Sequence, residues 1–164
     1  MYMKIISGGQ TGVDRGALDA AYDLKFDTGG WCPSGRKSED GPIDGKYELK
    51  ETRTENYEER TRLNVTDSDG TLILHFGQLE GGTLKTKEFA SEQEKPVYEV
   101  DLSKEIDKDS VLTWIFRKQI HTLNVAGPRE SEEKGIYSKS YKFIFEILKQ
   151  INMYGAGCDF DDYA

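Results

Sequence analysis

Three times in this chain a short apolar run ends in a glycine-bearing turn, and a helical pattern follows. The first run is Lys4-Ile5-Ile6 before Ser7-Gly8-Gly9-Gln10-Thr11-Gly12. The second is Thr71-Leu72-Ile73-Leu74-His75-Phe76, nearly continuous apolar, before Gly77 and Gly81-Gly82-Thr83. The third is Thr122 to Ala126 before Gly127-Pro128-Arg129-Glu130-Ser131. Strands alternating with helices predict an α/β, three-layer fold: a mainly parallel sheet with helices on both faces. Crossovers between parallel strands are right-handed, so the three turns emerge together at the carboxyl edge of the sheet. Ligands of open α/β sheets bind at that edge.

Glycine lets the backbone turn and lets main-chain amides approach a ligand. A helix N-terminus adds unpaired N–H donors and a partial positive charge, which suits an anion, most often a phosphate. The spacing Gly-Gly-Gln-Thr-Gly is neither the three-glycine dinucleotide spacing nor a P-loop. Taken alone, this turn fits a structural role as well as a ligand. Three such turns together, with Arg15, Arg36, Lys37, Lys85 and Arg129 in or beside them, favour an anion or phosphate-bearing small molecule. Arg15 stands in a first helical turn, where a cation opposes the helix dipole and a ligand charge would justify it.

The 164 residues suit one domain, expected over 1–152, followed by an acidic, loose tail over 153–164. A formal net charge of −8 argues against duplex nucleic acid as a partner. No apolar run approaches the ~18 residues of a membrane span, and no basic-then-apolar leader opens the chain, so a cytoplasmic protein is expected. Cys32 and Cys158 read as reduced thiols, and with two histidines no protein metal site is expected. Asp67-Ser68-Asp69-Gly70 reads as a turn, since the full calcium-loop pattern is missing.

Apolar spacing predicts helices over 14–24, 57–64, 83–91, 110–120 and 136–151, with Thr83 capping the third and Asp109 or Ser110 the fourth. Further strands are expected near 26–31, 49–52 and 97–100. Residues 32–47 form a long loop rich in Gly, Pro and charge, with Trp31 at its mouth, which could close over an anion. No nucleophile elbow is present. His75 and His121 read as structural, and Glu88 reads as an ordinary helix-surface carboxylate.

These stretches resemble the molybdenum cofactor carrier protein family. The matching residues are Ser7 to Ala21, Gly29 to Pro33, Gly35, Arg36, Glu39 to Gly41, Tyr57, Arg60, Thr61, Asn64, Val65, Asp67 to Thr71, Gly81 to Thr83, Thr86 and Leu123 to Ser131. The resemblance implies a Rossmann-like fold of the wider group that includes the lysine-decarboxylase-like proteins. It implies the molybdenum cofactor (molybdopterin) as bound ligand, homo-oligomers, and molybdoenzymes as partners. The candidate ligand-binding set is Gly8, Gly9, Gln10, Thr11, Gly12, Arg15, Trp31, Arg36, Gly81, Gly82, Thr83, Thr86, Gly127, Arg129, Glu130 and Ser131. Relatives in the wider group cleave nucleoside monophosphates with a Glu near a Gly-Gly turn. Glu88 is the corresponding candidate here, although Gly81 to Glu88 lacks that motif's proline, later glycine and paired Glu. A non-catalytic carrier is the leading reading; a nucleotide glycosidase and a nucleotide-sensing module are the alternatives.

Overall fold

The computed structural model describes residues 1–155. Cys158 and residues 156–164 of the expected tail lie outside them. Five parallel strands form the main sheet: β1 (Lys4–Ile6), β2 (Asp27–Gly29), β5 (Gly70–His75), β6 (Val97–Asp101) and β7 (Thr122–Ala126), in the order β2-β1-β7-β5-β6. Two short strands, β3 (Trp31–Cys32) and β4 (Lys50–Glu51), pair separately. Among the described residues there are five α-helices: α1 (Val13–Asp23), α2 (Tyr57–Thr66), α3 (Gly81–Glu92), α4 (Lys108–Arg117) and α5 (Ile136–Gly155).

The last strand is the central one. Asn124 of β7 aligns with Ile6 of β1 on one side and Thr71 of β5 on the other. If β7 is counted first, the order becomes 3-2-1-4-5, the doubly wound Rossmann arrangement with its switch point between β7 and β5. The end of α5 lies beside the first residue, as this renumbering requires: a Cβ placed on Gly155 would lie 3.4 Å from the Met1 nitrogen.

One sheet face carries the larger core. Ile5, Leu72, Leu74, Leu123 and Val125 pack against Ala17 and Ala20 of α1, Leu112 and Ile115 of α4, and Phe143, Ile144 and Ile147 of α5. Gly16 lets α1 and α5 touch closely, since a Cβ there would meet the Tyr137 carbonyl at 2.8 Å and the Tyr141 nitrogen at 3.0 Å. On the other face α2 and α3 meet through Val65, Phe89 and Ala90. β5 is buried along its whole length, as its unbroken apolar run requires.

Several boundaries differ from the sequence expectation. The strand expected over 26–31 splits at Gly30, whose φ of +125° turns the chain under the Ser7 carbonyl. Trp31 then leaves the main sheet, and the Asn64 amide accepts from its N–H at 2.8 Å and donates to its carbonyl at 3.0 Å. Thr83 does not cap α3. The helix starts two residues earlier, and the Thr83 N–H donates to the Glu80 carbonyl. The cap of α4 is Asp107, which accepts from the Ser110 N–H at 3.0 Å. α5 continues through Gly155, so residues 153–155 are helical.

The 32–47 segment is ordered by its own polar contacts. Arg36 donates to the carbonyls of Ile43, Asp44, Tyr47 and Leu49. Arg15 reaches across from α1 and grips Asp40 through both terminal nitrogens, at 2.5 and 2.7 Å. Ile43 and Leu49 then sit where a Gly9 side chain would be.

Candidate functional site

The carboxyl ends of β1, β7 and β5 lie side by side, and the chain passes from them toward α1, α5 and α3. At each of these helix starts the macrodipole and the unpaired amides call for negative charge. The structure answers two of the three from within. At α1 the buried Asp14 carboxylate accepts from the Gln10 N–H at 3.2 Å, and the Val13 N–H donates to the Pro128 carbonyl. At α5 the Glu130 carboxylate accepts from the N–H groups of Gly135 and Tyr137, at 2.5 and 2.9 Å. At α3 no acid stands in the first turn, and Glu80 at the cap position makes no capping hydrogen bond.

The start of α3 opens onto a pocket of about 220 Å³ between the first glycine turn, α2 and the end of β7. Gly8, Gln10, Gly82, Thr83, Thr86, Gly127 and Arg129 of the expected set line it. No atom stands within 4 Å of where a Gly82 Cβ would be, so the α3 amides are approachable. The Thr86 hydroxyl donates to the Gly82 carbonyl at 3.0 Å and braces the turn. The Gln10 side-chain oxygen accepts from the N–H groups of Thr11 and Glu39, both at 3.0 Å.

Gly9, Thr11, Gly12, Arg15, Trp31, Arg36, Gly81, Glu130 and Ser131 are placed outside this lining. Thr11 donates to Glu39 and accepts from the Glu130 N–H. The Ser131 N–H and hydroxyl both donate to Glu39, which ties the β7–α5 connection to the 32–47 segment. Gly12, at φ +79°, lets the first turn pass the Pro128 carbonyl, which a Cβ would approach to 2.4 Å. Trp31 donates from Nε1 to Asp67 at 2.7 Å, at the C-terminal end of α2. Glu88 is exposed, also outside the lining, and pairs with Lys85 at 3.4 Å.

The pocket also contains residues to which sequence reasoning gave no role. α2 contributes Tyr57, Arg60, Thr61 and Asn64, which share one face by helical spacing. That spacing, and their place among the residues that carry the family resemblance, were the available signals. Arg60 donates from Nη1 to Asp14 at 2.9 Å, and both side chains are largely shielded from solvent. Burial pushes the Asp14 carboxyl up from its ordinary value, and the Arg60 charge pulls it back. The guanidinium lies against Gly8, with Nη1 only 1.6 Å from where a Cβ would stand, so Gly8 is there to admit Arg60. The Tyr57 ring has the Arg60 and Arg129 guanidinium carbons at 5.4 and 6.0 Å from its centre. Arg129 pairs with Glu132 at 2.7 Å and has Glu39 at 4.0 Å, and these contacts raise its already high basicity.

Among the described residues no cluster of His, Cys, Asp and Glu could hold a metal ion, and Cys32 is a free, buried thiol whose pKa burial raises. No described helix is long and apolar enough to cross a membrane. The Asp69 carboxylate accepts from the N–H groups of His121 and Thr122, a turn role.

No curated protein matches the chain. A solved structure named "putative molybdenum carrier protein", from Syntrophus aciditrophicus SB, is 42% identical, with a TM-score of 0.83, over 90% of this chain and 94% of that one. Its Rossmann-like fold agrees with the sheet described above. A family model described as circularly permutated YpsA SLOG matches residues 5–148. A permutation is what the central last strand and the adjoining Met1 and Gly155 display. By that match and by its fold, the chain belongs to the circularly permutated YpsA SLOG family.

Proposed function

We propose that this protein is a carrier for a phosphorylated small molecule, with the molybdenum cofactor as the leading cargo. The observation that carries the reading is the contrast among the three helix starts. Asp14 and Glu130 provide carboxylate acceptors at the starts of α1 and α5, whereas at α3 no acid stands in the first turn and the Gly82 backbone opens onto the pocket. A ligand phosphate would sit there, beside the Gly82 backbone and the Thr83 side chain, with Lys85 and Arg129 to balance its charge. At about 220 Å³ the pocket is smaller than the ~300–1,000 Å³ that encloses a whole drug-sized ligand. It suits a phosphate and one ring, with the remainder of the cargo in the open mouth. The family likeness and the name of the 42%-identical neighbour support the cofactor as that cargo.

The glycosidase alternative rests on Glu88 as its catalytic carboxylate, and Glu88 is paired with Lys85 and lies outside the pocket lining. The deciding experiment is a thermal-shift titration of the protein with the molybdenum cofactor and with AMP in parallel. A ligand binding only the folded state at about 100 times its Kd stabilises by roughly 2.7 kcal/mol. A shift with the cofactor, lost in Lys85→Ala, is expected. A shift with AMP alone, accompanied by release of free adenine, would overturn the carrier reading in favour of the hydrolase.

A further inference from the structure

Arg60 differs from Lys85 and Arg129, the other cations of the pocket, in that its ion-pair partner is buried with it. Asp14 takes the Nη1 donor at 2.9 Å, and the pair contributes no net charge to the cavity. What remains is directional. In a guanidinium, Nη1 lies on the Cδ side, while Nε–H and Nη2–H form the opposite edge as two parallel donors. Here Nη1, Cζ and Cδ are the atoms packed on Gly8, at 1.6, 2.6 and 3.0 Å from where its Cβ would be. The two-donor edge therefore faces away from the glycine turn. Among the described residues the buried Nε has no hydrogen-bond partner, and a buried donor left unpaired is costly. Tyr57, whose ring is 5.4 Å from Cζ, adds a flat wall to the same pocket.

We infer that Arg60 selects the heterocycle of the ligand: its free edge takes a fused ring that presents a carbonyl oxygen and a ring nitrogen acceptor side by side, as a 6-oxopurine does. The inference rests on the proposed phosphorylated-ligand reading, with the phosphate at α3 and the ring at Arg60. A charge-neutral fork favours a neutral planar acceptor pair over a second anion. An adenine edge carries an amino donor beside its ring acceptor, so one of the two Arg60 donors would face another donor. Arg60 would thus discriminate oxo from amino heterocycles with little effect on the phosphate.

The test is calorimetric titration of the full chain with GMP, AMP, 7-deaza-GMP (which lacks the ring acceptor) and inorganic phosphate. GMP is expected to bind about tenfold or more tightly than AMP or 7-deaza-GMP, the usual worth of a bidentate arginine contact. Arg60→Lys, which keeps the charge but loses the fork, should bring the GMP-to-AMP ratio close to one and leave inorganic phosphate binding unchanged. Equal wild-type affinity for GMP and AMP would overturn the inference while leaving the phosphate site standing. So would an Arg60→Lys variant that loses phosphate and GMP by the same factor. Failure of the wild type to bind any of the four, inorganic phosphate included, would overturn the phosphate site at α3 on which the inference rests. The wild-type series decides the matter even if the variant does not fold.

Discussion

Arg60 and Asp14, 46 residues apart in the chain, form a buried ion pair at 2.9 Å in the floor of the pocket. Removing one member of such a pair leaves the other as an uncompensated buried charge, which typically costs about 3–5 kcal/mol. Asp14→Ala and Arg60→Ala are each expected to lower unfolding stability by that order in urea titrations. The double variant should lose clearly less than the sum, because neither charge is then stranded. Strict additivity would mean that the two side chains are not coupled.

Gly82 separates stability from binding. An acid in the first turn of a helix adds roughly 0.3–1 kcal/mol, and nothing lies within 4 Å of a Cβ there. Gly82→Asp should therefore raise the melting temperature slightly. It should also weaken phosphate binding by about tenfold or more, the worth of one hydrogen bond to a charged group. A variant that is both more stable and still binds phosphate would show that the anion sits elsewhere.

The Arg15–Asp40 contact sets an acid limit on the 32–47 segment. The Arg15 guanidinium holds the Asp40 carboxyl down at about 2, against an ordinary value of 3.8. A depressed carboxyl contributes stability that is present above its unfolded pKa and is lost as pH falls through its folded one. The window is therefore from about pH 4 down to about pH 2. Asp40 is half exposed, so solvent screening limits the contribution to about 1 kcal/mol or less. Amide-exchange protection at residues 38–41, taken relative to the intrinsic rate at each pH, should fall across that window in the wild type and be low throughout in Asp40→Asn.

Gly16 tests the contact between α1 and α5. Alanine is the better helix former by about 1 kcal/mol, yet its Cβ would stand 2.8 Å from a backbone carbonyl of α5. Backbone yields less than a side-chain tip, and overpacking of this kind costs typically 1–3 kcal/mol. Gly16→Ala should be net destabilising in thermal unfolding. A stabilised variant would mean that the helices separate freely.

The permuted order predicts that the chain can be rewound. Removing residues 156–164, joining Gly155 to Met1 by a short glycine linker and opening the chain between the exposed Lys118 and Gln119 would make β7 the first strand. Neighbouring ends and an exposed cut site are the conditions under which permutation is tolerated. The rewound protein should unfold cooperatively and bind the same ligands. Loss of folding would show that the β7–α5 unit depends on being made last.

Apolar periodicity and glycine position were enough to place the strands and helices, because both are local: burial of a face repeats every two or 3.6 residues. Right-handed crossovers then brought the three glycine turns to one edge with no knowledge of contacts. Which turn stays open was not legible. In sequence, Gly8-Gly9, Gly81-Gly82 and Gly127 are equivalent candidates. In the fold Asp14 and Glu130 occupy two helix starts, and Gly9 lies under Ile43 and Leu49. The cations were sorted in the same way. Arg15 and Arg36, beside the turns in sequence, are committed to Asp40 and to loop carbonyls, whereas Arg60, remote from every turn, lies in the pocket. Charge pairing acts through space between residues 25 and 46 positions apart, and a periodic pattern carries no record of it. Local sequence therefore determined the layers and the binding edge, and only the packed chain decided which residues at that edge remain free for a ligand.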